Sequence, residues 1–424
     1  MSPPCDFQHT NGADRVVALV VMLLFACNFL VDVVVGLTMD PSQINQDINQ
    51  RLQTELLATD KQDPFVFRLD LLADELVSRA NTGLPGDDNS QNRINYVMNG
   101  LQVTNIWYDV LYEGQLASSW GGSDTSTGDL SLFVAALLGL LPGKYGTAPY
   151  PGFLESRQDA IDIQNQGRNF THEILSSFAL IQKEWGHELP TGYAPIYLVT
   201  YGYRNAANAK MFGYLNDERC MTFLNLGARN MLQPDTFEIA IRHETWHCFH
   251  RIDNSPRDLR KLTFREGVVT YLTSTTGNAS YSNPDVLFWS FQEWQAAEER
   301  KRDILLEYAK VQSDTNPQTL SEWTRAGVPL STVPGAPSRC GYYVGLLAYR
   351  AYVQQQQEDL NMSLSAYTLL ELADFPSGRE EIWKALVQKE GLSFDGDGGS
   401  GAEHLPMLSS IMTLSILLAG WFTM

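Results

Sequence analysis

The residues with the clearest chemistry lie in RHETWHCFH, Arg242 to His250. His243 and His247 stand four residues apart. On a helix this puts both imidazoles on one face, one turn apart, within reach of a single ion. Glu244 follows the first histidine and projects beside such an ion, where its carboxylate can take a proton from bound water. Two ligands and a base at this spacing are the working parts of a zinc hydrolase site. Catalytic zinc needs a third protein ligand and keeps a fourth position for water.

Three residues compete for the third place. His250 shares the face but lies roughly 10 Å along the axis from His243, too far for a straight helix to bring both to one ion. It is expected to support the site from outside or to sit on the surface. Asp253 falls six residues after His247, the offset used where a glycine turn bends the chain back to the metal, but His250 occupies the place of that glycine. Glu266, with eighteen residues between it and His247, sits in FREGVVTY. A second helix returning through NSPRD would present it, and the reading favours Glu266 over Asp253.

Positioning such a set requires two packed helices. PDTFEIAIRHETWHCFH carries the first, with Pro234-Asp235 and Glu238 forming an expected capping box. LTFREGVVTYLTS, Leu262 to Ser274, is expected to form the second. Upstream, PIYLVTY (Pro195 to Tyr201) and RCMTFLNL (Arg219 to Leu226) are rich in β-formers and bounded by turn residues, so strands are expected. Residues 41–190 look mainly helical, with FRLDLLADELVSRA (Phe67 to Ala80), Ile94 to Tyr112, LSLFVAALLGLLPG and GRNFTHEILSSFALIQKEW carrying the pattern. His172-Glu173 in the last is a decoy, because Ser176 stands where a second histidine would fall. Ser313 to Arg339 looks like a long loop, and CGYYVGLLAYRAYVQQQQ, SAYTLLELADF and REEIWKALVQKE close the folded part as helices.

HETWH, eighteen residues, then EGVVTY resembles the zinc signature of the gluzincin metallopeptidases, with a spacing similar to the M1 aminopeptidases. The resemblance implies an α+β, zincin-like catalytic domain: a small sheet plus active-site helices. It implies His243, His247 and Glu266 as ligands of one Zn2+, Glu244 as general base and Thr270 as a support beside the ligands. It also casts RCMTFLNL as the edge strand that receives an extended substrate. CGYYVGLLAYRAY is similar to a segment of predicted bacterial zinc proteases, which implies Tyr342 or Tyr343 as the donor that steadies the oxyanion. The chain has no G-x-M-E-N segment, the M1 element that binds a free amino end, so endopeptidase action is favoured over aminopeptidase action.

The chain ends suggest where such an enzyme works. An apolar run, Val16 to Leu30, is followed by small residues to Gly36, which suits a cleaved secretory signal, with an uncleaved signal-anchor as the alternative. Small residues from Gly398 to Ala402, a polar spacer and an apolar tail from Ile411 to Met424 form the pattern for a glycolipid anchor, with a tail-anchored helix as the alternative. The expected organisation is therefore a signal peptide at 1–36, a mainly helical region at 37–190, and a zincin-like metallopeptidase domain at 191–390 with a helical C-terminal part. A Gly/Ser-rich tether at 391–401 and an anchor signal at 402–424 complete it.

Sequons at Asn169, Asn278 and Asn361 agree with secretion. Beyond the leader only Cys220, Cys248 and Cys340 remain, which allows at most one internal bridge and leaves its partners open. The net charge of −19, from 49 acidic and 30 basic residues, argues against nucleic acid as a partner. The expected partners are a peptide or protein substrate and the membrane, through the lipid anchor. Two other functions fit the same residues: a non-catalytic surface protein with a structural zinc, or a zinc hydrolase of a non-peptide substrate.

Overall fold

The computed structural model describes residues 62–82, 90–102, 134–135, 137–140, 153–189, 193–201, 207–214, 217–250, 258–278 and 281–393. The expected leader, the apolar tail, residues 394–401 of the tether and the candidate Asp253 lie outside the described residues. Among those described, no helix is long and apolar enough to cross a membrane.

The chain forms an α+β structure. Its first half runs β1 (Phe65–Arg68), α1 (Leu69–Thr82), α2 (Ser90–Gln102), α3 (Phe153–Asn165), α4 (Phe170–Trp185), β2 (Ile196–Thr200), β3 (Ala207–Tyr214) and β4 (Asp217–Asn225). The helices α5 (Pro234–His247), α6 (Leu259–Thr275), α7 (Asn283–Val286), α8 (Phe291–Glu299) and α9 (Lys301–Val311) follow. Last come α10 (Pro317–Thr324), α11 (Cys340–Leu360), α12 (Ala366–Asp374) and α13 (Pro376–Lys389).

The strands form one sheet in the order β1-β2-β4-β3. β1 and β4 run parallel to β2, and β3 pairs antiparallel with β4. Every residue of β2 is buried, which explains its unbroken apolar sequence IYLVT: a central strand covered on both faces has no polar side. RCMTFLNL is a strand, but it lies between β2 and β3 and is not an edge. β3, ANAKMFGY, holds that place. Its Ala, Asn and Lys are poor strand formers, and it is stabilised by its register against β4, from Ala207 opposite Leu224 to Tyr214 opposite Asp217.

At the N-terminal side the helix expected from Phe67 begins at Leu69, because Phe65 to Arg68 extend along β2 instead. The N-terminal residues thus supply a strand as well as helices. Within the apolar run LSLFVAALLGLLPG, residues 134, 135 and 137 are helical and buried.

α5 begins as Pro at a first helical position allows, with its missing N–H costing nothing there. The expected capping box does not form. Gln233 is the cap residue and makes no side-chain bond, and Glu238 is engaged by Arg242 one turn on. α6 is capped by Asp258, whose carboxylate accepts from Lys261 N at 2.7 Å. The expected loop from Ser313 to Arg339 contains α10, started by Asn316, which caps Gln318 N at 2.9 Å, and by Pro317. α7 and α8 both open with capping boxes, Ser282 with Asp285 and Ser290 with Glu293, a spacing visible in the sequence.

α6 and α11 cross at Gly267 and Gly345. A Cβ on Gly267 would lie 2.4 Å from the Gly345 Cα, and one on Gly345 would lie 2.4 Å from the Thr263 carbonyl oxygen. No side chain fits between these backbones. The crossing sets the distance between Glu266, one residue before Gly267, and Tyr342, one turn before Gly345.

Candidate metal centre

The residues of RHETWHC that lie between and beside the expected ligands fasten α5 to its neighbours. Arg242 donates from Nη1 to the Thr276 carbonyl at 2.6 Å, and Trp246 Nε1 donates to Thr276 Oγ1 at 3.0 Å. These tie α5 to the end of α6. The Thr245 hydroxyl bonds Tyr197 OH on β2 at 2.8 Å. Cys248 forms a disulfide with Cys220 on β4, which settles the pairing left open by the sequence; Cys340 is free and buried. With its other faces engaged, α5 turns His243 and His247 toward Glu266 of α6, and His243 also against Tyr342 of α11.

The expected trio converges. His243 Nε2 lies 3.3 Å and His247 Nε2 3.1 Å from the same Glu266 oxygen, Oε2, and the two nitrogens are 3.2 Å apart. A proton on one nitrogen can serve the carboxylate or the other ring, not both, so hydrogen bonding leaves one contact unmatched. Around a tetrahedral ion with bonds of ~2.0–2.1 Å, neighbouring ligand atoms are about 3.3–3.4 Å apart. The three atoms therefore fit a metal ion, and these residues form a group that could hold one.

The electrostatics follow from this crowding. Burial opposes ionisation of Glu266, but the two imidazoles prevail and hold its carboxyl well below the usual range. Burial likewise pulls the His247 imidazole down, and Glu266 with Glu244 more than reverses it. The Glu244 charge is thus felt at the ligands. It is felt also at Tyr342, whose phenol is pushed well above its ordinary value by burial first and by Glu266 next.

The two tyrosines, adjacent in sequence, separate. Tyr342 stacks on His243 with ring centroids 6.0 Å apart, close enough for the Glu266 charge to act on its phenol. Tyr343 points away, donating to Glu298 Oε1 at 2.9 Å between Trp289 and Trp294, and is corrected from candidate donor to packing residue. Thr270 is buried one turn beyond Glu266, with its hydroxyl on the Glu266 backbone carbonyl at 2.8 Å and not on a ligand side chain. His250 stays off the trio, as the rise along the helix requires. It is buried, not on the surface, with Nδ1 3.1 Å from Asp374 Oδ1. Burial lowers its pKa to about 4 against the pull of Asp374, and the charge of Arg265 adds to the fall.

Two residues at the site carry no signal in the sequence. Phe288 (φ 53°) and Arg339 (φ 60°) adopt left-handed backbone, which side chains of their size rarely do. The Phe288 ring meets His243 edge-on at 6.2 Å, and the Arg339 guanidinium lies over both the Phe288 and Tyr342 rings.

The chain matches no family model, no curated protein and no solved structure. Its functional reading therefore rests on this arrangement of side chains.

Proposed function

We propose that this chain is a zinc-dependent peptidase of the gluzincin type with a zincin-like fold, secreted and held at the outer cell surface by a lipid anchor. The observation that carries the reading is the meeting of His243 Nε2, His247 Nε2 and Glu266 Oε2 at 3.1–3.3 Å from one another, with Glu244 on the same helix. Two nitrogens and one oxygen suit zinc. When bound, zinc supplies a Lewis acid and lowers the pKa of water toward ~7.

The protein groups then divide the remaining work. Glu244 takes the proton of the attacking water and passes it to the departing amine. Tyr342, kept protonated by its raised pKa, donates to the carbonyl oxygen as that oxygen gains charge. His243 is buried and packed against the Tyr342 and Phe288 rings, which restrict the orientation of its imidazole. The Cys220–Cys248 bridge supports an oxidising compartment, in line with the apolar runs at both chain ends.

Purified zinc-loaded protein is expected to cleave peptides, and a chelator to stop it. Glu244→Gln keeps the size of the side chain and removes its basicity, so zinc stays bound while kcat falls by ~10²–10⁴. Unchanged turnover in the zinc-loaded variant would exclude this mechanism, and zinc without any turnover in the parent protein would leave a structural metal. Phosphatidylinositol-specific phospholipase C should release the protein from intact cells. Retention with residues 411–424 still attached would mean a transmembrane tail.

A further inference from the structure

Two guanidiniums act electrostatically on the groups at the metal centre. Arg265 lowers the His247 pKa and Arg339 that of Tyr342. Arg265 is matched by Asp374 at 3.5 Å. Arg339 pairs with no carboxylate among the described residues. Its Nη2 donates to the Phe288 carbonyl at 3.3 Å, and its Nε is buried without a partner. The rest of the side chain reaches the surface in part, with Cζ 5.7 Å from the Phe288 ring centroid and 5.8 Å from that of Tyr342.

Two of these features cost stability: a left-handed backbone at a residue with a Cβ, and a buried donor left unmatched, which Arg339 Nε shares with several other arginines; such features gather at ligand sites. The half-exposed guanidinium, free of any described carboxylate, is open to an anion from outside. Here two strained residues are bonded to each other, Phe288 through its carbonyl and Arg339 through its guanidinium. Among the described residues the third non-glycine with positive φ, Asn361, is an ordinary helix end. The aromatic rings restrict the guanidinium, so little side-chain freedom is left to lose on binding.

We propose that Arg339, held by Phe288 and Tyr342, is a substrate-binding residue that anchors a carboxylate of the peptide beside the metal centre. A guanidinium matches a carboxylate in charge and in the geometry of its paired N–H groups. The carboxylate comes from the peptide's C-terminus or from an acidic side chain near the bond cleaved. The inference rests on the peptidase reading.

Binding, measured without turnover, tests it. Zinc-loaded Glu244→Gln protein is titrated by calorimetry with four peptides: acetylated tetra-alanine with a free or an amidated C-terminus, and the amidated peptide with one alanine replaced by glutamate or by glutamine. The same titrations are run with Arg339→Gln and Arg339→Lys added, after zinc content and thermal unfolding show the variants folded. One carboxylate-bearing peptide should bind about ten- to a hundredfold more tightly than its neutral counterpart. Preference for the free C-terminus identifies the terminal carboxylate, and preference for glutamate over glutamine identifies a side chain. The preference should vanish in Arg339→Gln and fall in Arg339→Lys, which keeps the charge and loses the fork; should the former not fold, the latter carries the test. Equal binding of charged and neutral peptides, or a preference that survives both substitutions, would overturn the role of Arg339 and leave the peptidase reading standing. Failure of all four peptides to bind would overturn both.

Discussion

Buried charge is handled in two ways in this molecule. Near the N-terminal edge of the sheet, Arg68 holds Asp70 with two bonds, Nε to Oδ1 at 2.8 Å and Nη2 to Oδ2 at 2.5 Å, and reaches Gln164 at 2.7 Å. Arg157 lies 2.7 Å from Asp74, which also accepts from Tyr201 OH at 3.3 Å. Two carboxylates face two guanidiniums, and the set joins β1, α1, α3 and the end of β2. At the candidate metal centre the Glu266 carboxylate meets two imidazoles, with the Glu244 charge acting nearby, and ring nitrogens meet each other. In the first cluster each carboxylate has a guanidinium of its own, although Asp74 Oδ1 and Arg157 Nε are buried without a hydrogen-bond partner. In the second, one carboxylate oxygen meets two imidazole nitrogens that also face each other, an arrangement that could hold an ion, and beside it lies a guanidinium with no described counter-ion. Both clusters are largely buried; what separates them is whether each carboxylate meets a cation of its own.

Single substitutions can break this contrast. The largest effect should be loss of metal from Glu266→Ala, which leaves two imidazoles. Zinc affinity should drop by more than about a hundredfold, the upper end for residues that only support a ligand, while thermal stability measured without metal changes little. Arg68→Ala should do the reverse. Stranding Asp70, which is fully buried, should cost about 3 kcal/mol in denaturant unfolding, with zinc content after dialysis unchanged. Metal lost from Arg68→Ala and kept by Glu266→Ala would erase the distinction.

A smaller effect concerns pH. Burial raises the Asp74 pKa to about 6 against the pull of Arg157, with Asp70 adding to the rise. A carboxyl whose folded pKa exceeds its unfolded value stabilises fully below the unfolded value near 4, and that contribution is lost as pH rises through 6. Unfolding free energies of metal-free protein between pH 4 and 7 should therefore fall relative to those of Asp74→Asn, by roughly 2 kcal/mol. Parallel curves for the two proteins would show that Asp74 does not titrate in this window.

The candidate ligands were legible because their logic is local: i,i+4 spacing places His243 and His247 on one face whatever surrounds the helix. Glu266 required only that a second helix return. Tyr342 and Tyr343 could not be told apart, since neighbouring helical residues point about 100° apart and packing alone decides which faces the site. β1 and β3 were hidden for a related reason. FVFR continues into a helical pattern, and ANAKMFGY lacks strand formers, so both depend on partners far away in sequence. Phe288 and Arg339 were beyond reach altogether, because no residue type announces a left-handed backbone imposed on it by tertiary contacts. The capping boxes at Ser282 and Ser290 and the Asn316-Pro317 start of α10 carry local signals that were passed over, the last within the expected loop from Ser313 to Arg339.

The contact between Gly267 and Gly345 works as a pivot without a cushion. Where helices meet through side chains, a rotamer change can absorb a small displacement. Here backbone touches backbone, so a shift of α11 has nothing soft to dissipate into and is passed on whole to the residues on either side. Glu266 and Tyr342 therefore move as parts of one rigid frame. A site built this way trades adjustability for fixed spacing, and its tolerance to change ends at the first added methyl group.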